Sequence, residues 1–522
     1  LITQRSEVRI LSPLPKKYKG LDENLTPLVC LLRCGIFLCQ TRKGSAVMKT
    51  EFRKKTKIVA TISDRRCDVP FLTALYHAGM DVVRINTAHQ DIEGSLEVIR
   101  NVREVSDHLA LMIDTKGPEV RTTPVAEAIT LAKGDFVTFR GDPEKESTRE
   151  GVYVSYRGFV DEVPVHSHLL IDDGYLDLQV REKKGDALIC EAQNDGRIEG
   201  RKSVNVPKVN FNLPSLNEKD RRYVRFAIEQ EVDFIAHSFV RNKEDVLAIQ
   251  ALLDERKSPI RIIAKIENQE GVDHIEEILD HVYGVMVARG DLAIEIPYER
   301  IPGIQKMLID KCIARRKPVI IATQMLHSMI RNPRPTRAEV SDIAGAIYSK
   351  TDAIMLSGET AGGQYPLEAV QTMARVAAEV EKSRSDIHDA PTVVLTNERS
   401  AFLTKTAVEA ALKLNARAII ADTSSGNSIR NMAGFRGRKP IFAHCYDRQV
   451  VRQLSLSFGV FPEYIDKTND SRDFVHRALM SHLNSGVLRE EDLVVVIAGN
   501  FGDRFGASFI EISPVKLLLT EK

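Results

Sequence analysis

The sequence predicts a (β/α)8 TIM barrel with a small β domain inserted after its third strand and an α/β domain at its C-terminal end, and three observations carry that expectation. Short apolar, β-branched runs alternate with stretches of helical period in three units before about residue 122 and five after residue 213, and eight such units are the pattern of a closed parallel barrel. Between the two blocks the period drops to two, and Gly and Asp turns become frequent. Beyond about Arg384 a stretch without period gives way to a further set of strands and helices. These shifts divide the chain into 1–47, outside the fold; 48–121 and 214–383, the two parts of the barrel; 122–213, the insertion; and 384–522, the C-terminal α/β domain.

The first strand is Ile58 to Ile62, after which Val69, Leu72, Leu75 and Tyr76 recur at helical spacing until Gly79 ends the helix. Val82 to Asn86 is the second strand, Ile92, Leu96, Ile99 and Val102 mark the next helix, and Leu109 to Ile113 is the third strand. The alternation resumes with strands at Val232 to Ala236, Ile260 to Glu267, Gly284 to Ala288, Val319 to Thr323 and Ala353 to Leu356. In the insertion Leu176, Leu178 and Val180 alternate with Asp177, Gln179 and Arg181 between turns at Asp172-Asp173-Gly174 and Lys184-Gly185-Asp186. The βα loops of a barrel frame its active site, so an insertion there is placed to act as a lid, with a bulky ornament as the alternative. In the last domain Thr404 to Leu414 is helical, and Ala418 to Ala421, Ile441 to Ala443 and Leu493 to Ile497 are strands. The turn Thr423-Ser424-Ser425-Gly426-Asn427-Ser428 opens another helix and offers hydroxyls, N–H groups and the positive end of a dipole to a phosphate. Ser and Asn are equally the common N-caps of helices that bind nothing.

A chain of 522 residues is too long for one core, and 43% hydrophobic with 28% charged residues is ordinary for a globular protein. A formal net charge of +1 gives no bias toward nucleic acid or membrane, and neither is expected as a partner. The seven cysteines, Cys30, Cys34, Cys39, Cys67, Cys190, Cys312 and Cys445, form no C-x-x-C pair and show no His spacing of the kind a zinc site has, which fits a reducing, cytoplasmic compartment. The first residues run through Pro13, Pro15 and Pro27 without period, and Met48 reads as the natural start. The apolar run from Leu28 to Cys39, broken by Arg33, is too short to span a bilayer and late for a signal peptide.

Reading only the ends of the barrel strands assembles a constellation. Lys265 and Glu267 lie two apart on strand five and so share a side, as do Arg84 and Asn86 on strand two. Strand three ends in Asp114-Thr115-Lys116, strand six runs into Ala288-Arg289-Gly290-Asp291, strand seven ends in Thr323-Gln324 and strand eight runs into Ser357-Gly358-Glu359-Thr360. A lone K-x-E pair also serves as a buried ion pair closing a barrel layer. Here two acids on neighbouring strands, Glu267 and Asp291, can share a hard divalent cation such as Mg2+, with Arg84 and Lys265 adding fixed positive charge. That set suits an anionic, phosphorylated substrate.

Ile260 to Val272 with Lys265 and Glu267, together with Met286-Val287-Ala288-Arg289-Gly290-Asp291-Leu292, strongly resembles pyruvate kinase. Asp114 to Glu119, Ala322-Thr323-Gln324-Met325-Leu326, Pro333 to Glu339 and Met355 to Ala361 agree with that family in order, and the resemblance runs from Lys57 to the C-terminus. It implies a phosphotransferase of EC class 2.7.1 that passes the phosphoryl group of phosphoenolpyruvate to ADP, giving pyruvate and ATP in the last step of glycolysis. It further implies that Glu267 and Asp291 hold Mg2+, that Arg84 grips the phosphoryl group, that Lys265 stabilises its charge in transit, and that Thr323 takes part in protonating the enolate carbon. By the same resemblance the backbone at Ala288, Arg289 and Gly290 meets substrate and metal, and His89, Arg121 and Lys202, with Asn86, contact the nucleotide, which brings a second Mg2+. A homotetramer under allosteric control is also implied.

The chain departs from the family pattern where a monovalent cation binds. Residues matching the K+ ligands are Asn86, Asp114 and Thr115, but Ala88 stands where the family has serine. Strand alternation places Arg84, Asn86 and Ala88 on one side and points Thr87 away, so the missing hydroxyl is not replaced. Members that dispense with K+ resemble one another in carrying lysine at the position of Glu119, and the acid here implies a K+ requirement. Strand six also runs Asp291-Leu292-Ala293 where the family usually has glycine third. The turn Thr423 to Ser428 resembles the phosphate loop of members activated by a sugar phosphate, whose other half would lie near Gly499 to Ser508. Two other readings use the same residues: a Mg2+-dependent aldolase or lyase working through a pyruvate enolate, and an inactive sugar-phosphate sensor.

Overall fold

The computed structural model describes residues 54–383, 398–468, 470–499 and 507–520. The expectations for residues 1–47 and for the link after Arg384 fall outside them, as does most of Gly499 to Ser508. Eight parallel strands close into a barrel: β1 (Lys57–Thr61), β2 (Val82–Asn86), β3 (Ala110–Asp114), β4 (Phe234–His237), β5 (Arg261–Ile266), β6 (Gly284–Ala288), β7 (Val319–Ala322) and β8 (Ala353–Leu356). Each pairs with its neighbours in sequence, and β1 pairs with both β2 and β8. β2, β6 and β8 fall where the sequence puts them, and the others end one or two residues away. β7 stops short because Thr323 and Gln324 turn into the left-handed region, at φ 69° and 56°.

Alternation along these strands builds two layers. Ile58, Val83, Ile85, Leu111, Ile113, Ile262, Ala264, Val285 and Val287 face outward into the layer shared with the helices. Val59, Val82, Met112, Phe234, Ile263, Met286 and Ile320 face inward and plug the barrel, joined from the C-terminal domain by Leu456. Two residues farther along β2, β3 and β5 the same inward face presents Arg84, Asp114 and Lys265. Polar groups thus form the layer above an apolar plug, at the C-terminal ends of the strands. Five of the surrounding helices are capped by side chains; Asp68, Asp91, Asn217, Asn242 and Thr336 accept from backbone N–H groups as N-caps.

The insertion after β3 folds as a six-stranded sheet with a separate two-stranded pair, and Leu176, Leu178 and Val180 lie in its own apolar core as their alternation predicts. In the C-terminal domain β9 (Ala418–Thr423), β10 (Ile441–Cys445), β11 (Val460–Tyr464), β12 (Leu493–Gly499) and β13 (Ala507–Pro514) form a sheet in the order β11-β10-β9-β12-β13. The sequence reading did not include β11 or β13. β11 carries Pro462, which a strand tolerates at a sheet edge, and it is the edge strand. Among the described residues no helix is long and apolar enough to cross a membrane.

Candidate active site

The mouth of the barrel is organised around Asp114. Its carboxylate accepts from Arg84 Nε at 2.6 Å and from Lys265 Nζ at 3.1 Å, and Arg84 Nη1 also donates to Thr61 Oγ1 at 2.9 Å. Lys265 Nζ lies 3.0 Å from Glu267 Oε1, the contact expected of two residues sharing a side of one strand. Burial pushes the Asp114 carboxyl up, but Arg84 and Lys265 outweigh it and hold the group below its ordinary value. Burial likewise pulls Lys265 down, yet Asp114 and Glu267 leave its ammonium above the usual lysine value. Asp114 and Lys265 are therefore both charged at neutral pH.

Glu267 and Asp291 behave in the opposite way. Burial pushes Glu267 up, Lys265 opposes it, and Asp291 and Asp114 add to the rise. Burial also pushes Asp291 up against the pull of Lys265, and Asp173 of the inserted domain and Glu119 raise it further. Asp291 sits in the first turn of the helix Arg289–Glu295 that follows β6, beside Glu267 at the end of β5. Two desolvated acids that resist ionising together form a donor set that fits a hard divalent cation.

Thr323 is held in a conformation unusual for a β-branched residue, of order 1–3 kcal/mol above the common regions. Its Oγ1 accepts from the Gly290 N–H at 2.8 Å and donates to the Ala322 carbonyl at 2.6 Å. The Arg289 side chain does not join the cations of the mouth. It donates to the Thr323 carbonyl and to Asp342 Oδ1, both at 2.7 Å, and so braces the strained turn.

The sequence reading passed over the end of β4. Ser238 lies there, its hydroxyl oxygen accepting from Lys265 Nζ at 2.6 Å and its single proton within reach of two acceptors, the Thr115 carbonyl at 2.7 Å and Asp114 Oδ1 at 3.1 Å. The Phe239 N–H donates to Glu267 Oε2 at 2.7 Å. Gly117, at φ 74°, lets the β3 loop press on Ser238, because a Cβ there would meet the Ser238 Cβ at 2.7 Å. His237, fully buried beside Thr115 Oγ1, is pushed down to about 4 by burial and is neutral. Applying the strand-end rule to all eight strands would have found Ser238.

After β2 the backbone leaves the extended conformation on which alternation depends. The strand ends at Asn86, Thr87 to His89 form a turn, and the Ala88 N–H donates to Asn86 Oδ1 at 3.1 Å. The Thr87 hydroxyl is buried and donates to the backbone carbonyl of Asp114 at 2.8 Å. His89 is exposed, and its imidazole is pushed down by partial burial and by Arg121 and Arg84. Arg121 is gripped by Glu119 at 2.6 and 2.9 Å, and Lys202 pairs with Asp172 at 3.0 Å. In the last domain Ser424 and Ser425 are exposed, whereas Thr423 is buried with its Oγ1 accepting from the Gly426 N–H at 2.8 Å.

Residues 53–370 match the family described as pyruvate kinase, barrel domain, and residues 402–513 match pyruvate kinase, alpha/beta domain. The chain belongs to the pyruvate kinase family. It is 46% identical to a pyruvate kinase of Borreliella burgdorferi over 89% of its own length and 98% of the relative's, and 44% identical to that of Bacillus licheniformis over 86% and 78%. A crystal structure of a pyruvate kinase from Cryptosporidium parvum superimposes with a TM-score of 0.82 at 35% identity, covering 88% of this chain and 96% of that one.

Proposed function

We propose that this chain transfers the phosphoryl group of phosphoenolpyruvate to ADP, yielding pyruvate and ATP, as a cytoplasmic phosphotransferase of EC class 2.7.1. The observation that carries this reading is the Arg84–Asp114–Lys265–Glu267 network above the barrel plug, with Asp291 beside it. Asp114 lies between Arg84 and Lys265 and holds two guanidinium and ammonium donors in one orientation before substrate arrives, so little reorganisation is needed when a phosphoryl group meets them. Arg84 grips the transferring group and Lys265 stabilises the charge that builds on it. Ser238 positions Lys265. Thr323, fixed by Gly290 and the Ala322 carbonyl, takes part in delivering a proton to the enolate carbon, and the backbone at Ala288, Arg289 and Gly290 receives the substrate carboxylate.

Glu267 and Asp291 are the residues that would hold Mg2+, whose chemistry there is charge neutralisation of bound substrate oxygens. Asn86, Asp114 and Thr115 would hold K+. His89, Arg121 and Lys202 meet the nucleotide phosphates with a second Mg2+, and both Arg121 and Lys202 must then exchange a carboxylate partner for phosphate. A homotetramer with a sugar-phosphate effector at Thr423 to Ser428 completes the reading. The test is a coupled assay for pyruvate formed from phosphoenolpyruvate. Formation strictly dependent on ADP supports phosphoryl transfer, ADP-independent formation points to another enolate chemistry, and none at all leaves a binding protein.

A further inference from the structure

The C-terminal sheet holds a side-chain cluster that the phosphoryl transfer does not use. His444 of β10 and Glu463 of β11 are register partners on adjacent parallel strands, so they leave the same face of the sheet. The helix Ser471–Asn484 covers that face, with Phe474, Ala478 and His482 recurring every four residues along its inner stripe. His444 and His482 are only 2% and 1% exposed, and their Nε2 atoms lie 3.2 Å apart. One ligand atom from each of His444, Glu463 and His482 falls within 4.8 Å of the other two.

We propose that His444, Glu463 and His482 form a binding site for a borderline divalent transition ion, Zn2+ foremost, separate from the carboxylate site of the barrel. A tetrahedral ion bound by imidazole nitrogens at about 2.0–2.1 Å sets those nitrogens roughly 3.3 Å apart, close to the spacing seen. Two imidazoles and a carboxylate suit zinc and its neighbours and are a poor set for Mg2+, which takes oxygen ligands. Burial, with His482 adding to it, pushes the His444 imidazole down to about 3, leaving it neutral with a lone pair to give. Phe442 packs 4.3 Å from the His482 ring and Phe474 edge-on against His444, which fixes both rings. Glu463 is half-buried on the edge strand, so an ion can enter past it. The ligands, at positions 444, 463 and 482, come from three elements and stand 19 residues apart in sequence, so no short spacing announces them.

The test uses the full-length protein, freed of metal by a chelator and held in excess Mg2+ to fill the oxygen site, with Co2+ as probe. Expected are one Co2+ per chain with the intense visible absorption of four-coordinate Co2+, its displacement by Zn2+, and binding weakened at least about tenfold in both His482→Gln and Glu463→Gln, but not in Glu267→Gln. Glu463→Gln lies at the sheet edge and decides the matter if His482→Gln fails to fold. The proposal is overturned if Co2+ shows no stoichiometric binding under Mg2+, which leaves a hydrogen-bonded imidazole pair, or if the signal survives Glu463→Gln and is lost in Glu267→Gln.

Discussion

Replacing Lys265 by Met removes an ammonium that is 8% exposed and touches three oxygens: Asp114 Oδ1 at 3.1 Å, Glu267 Oε1 at 3.0 Å and Ser238 Oγ at 2.6 Å. Two effects follow, and they separate. Breaking a buried ion pair costs about 3–5 kcal/mol of stability in the usual case. Here Asp114 keeps Arg84, and Glu267, already pushed up by burial, relieves its own charge by holding a proton, so the loss belongs at the low end of that range. Catalysis loses at least as much. A fixed cation aimed at charge that develops in transit contributes roughly 3 kcal/mol or more, which is about a hundredfold in kcat. The assay is steady-state kinetics of Lys265→Met at saturating Mg2+, with a melting curve to show the variant is folded. The expected result is a kcat lower by about a hundredfold or more with KM for phosphoenolpyruvate changed by less than about threefold. A folded variant whose kcat falls less than tenfold, or whose loss lies wholly in KM, refutes the role given to Lys265.

Closure of the inserted domain over the mouth predicts that small-angle scattering with Mg2+, phosphoenolpyruvate and ADP shows a more compact particle than the free chain; identical profiles would make the insertion an ornament. Because burial pushes both Glu267 and Asp291 above their ordinary values, the metal-free fold binds more protons than the unfolded chain, so its stability falls as pH rises from the unfolded values toward the folded ones. Mg2+ needs both groups deprotonated, so its gain in Tm should be larger at about pH 8 than at about pH 6, and equal gains would show that these acids are not its ligands. For the monovalent ion, Ala88→Ser should lower the K+ concentration giving half activation, measured at constant ionic strength with a bulky organic cation as filler. An unchanged value would mean that a hydroxyl at position 88 is not needed here, and full activity without K+ would remove the site altogether.

Period explains which parts of this molecule could be read in advance. The barrel strands are buried on both faces, so each is a continuous apolar run, and a polar residue inside such a run stands out: Arg84 in β2, Asp114 closing β3 and Lys265 in β5 were visible for that reason. The same logic extended one residue too far at β2. Alternation holds only while the backbone is extended, and the strand ends at Asn86, so it does not fix the direction of the Thr87 and Ala88 side chains. Ser238 escaped because the end of β4 was not read with the others. β11 escaped because its proline argues against a strand unless the strand lies at an edge, and edges are not marked in sequence.

What period cannot show is how distant elements meet, and the site depends on several such meetings. Thr323 is a β-branched residue in the left-handed region, a conformation nothing in Ala322-Thr323-Gln324 calls for. It persists because Arg289, anchored on Asp342 of a helix beyond β7, donates to the Thr323 carbonyl while the Gly290 N–H donates to its hydroxyl. The β6 loop therefore fixes the β7 residue, and the helix after β7 fixes the β6 loop. Such a closed circuit resists relaxation at any one point, which is how strain survives at a catalytic mouth. The motif around Arg289 then has a structural reason independent of substrate contact: its guanidinium braces the Thr323 carbonyl at the end of the neighbouring strand.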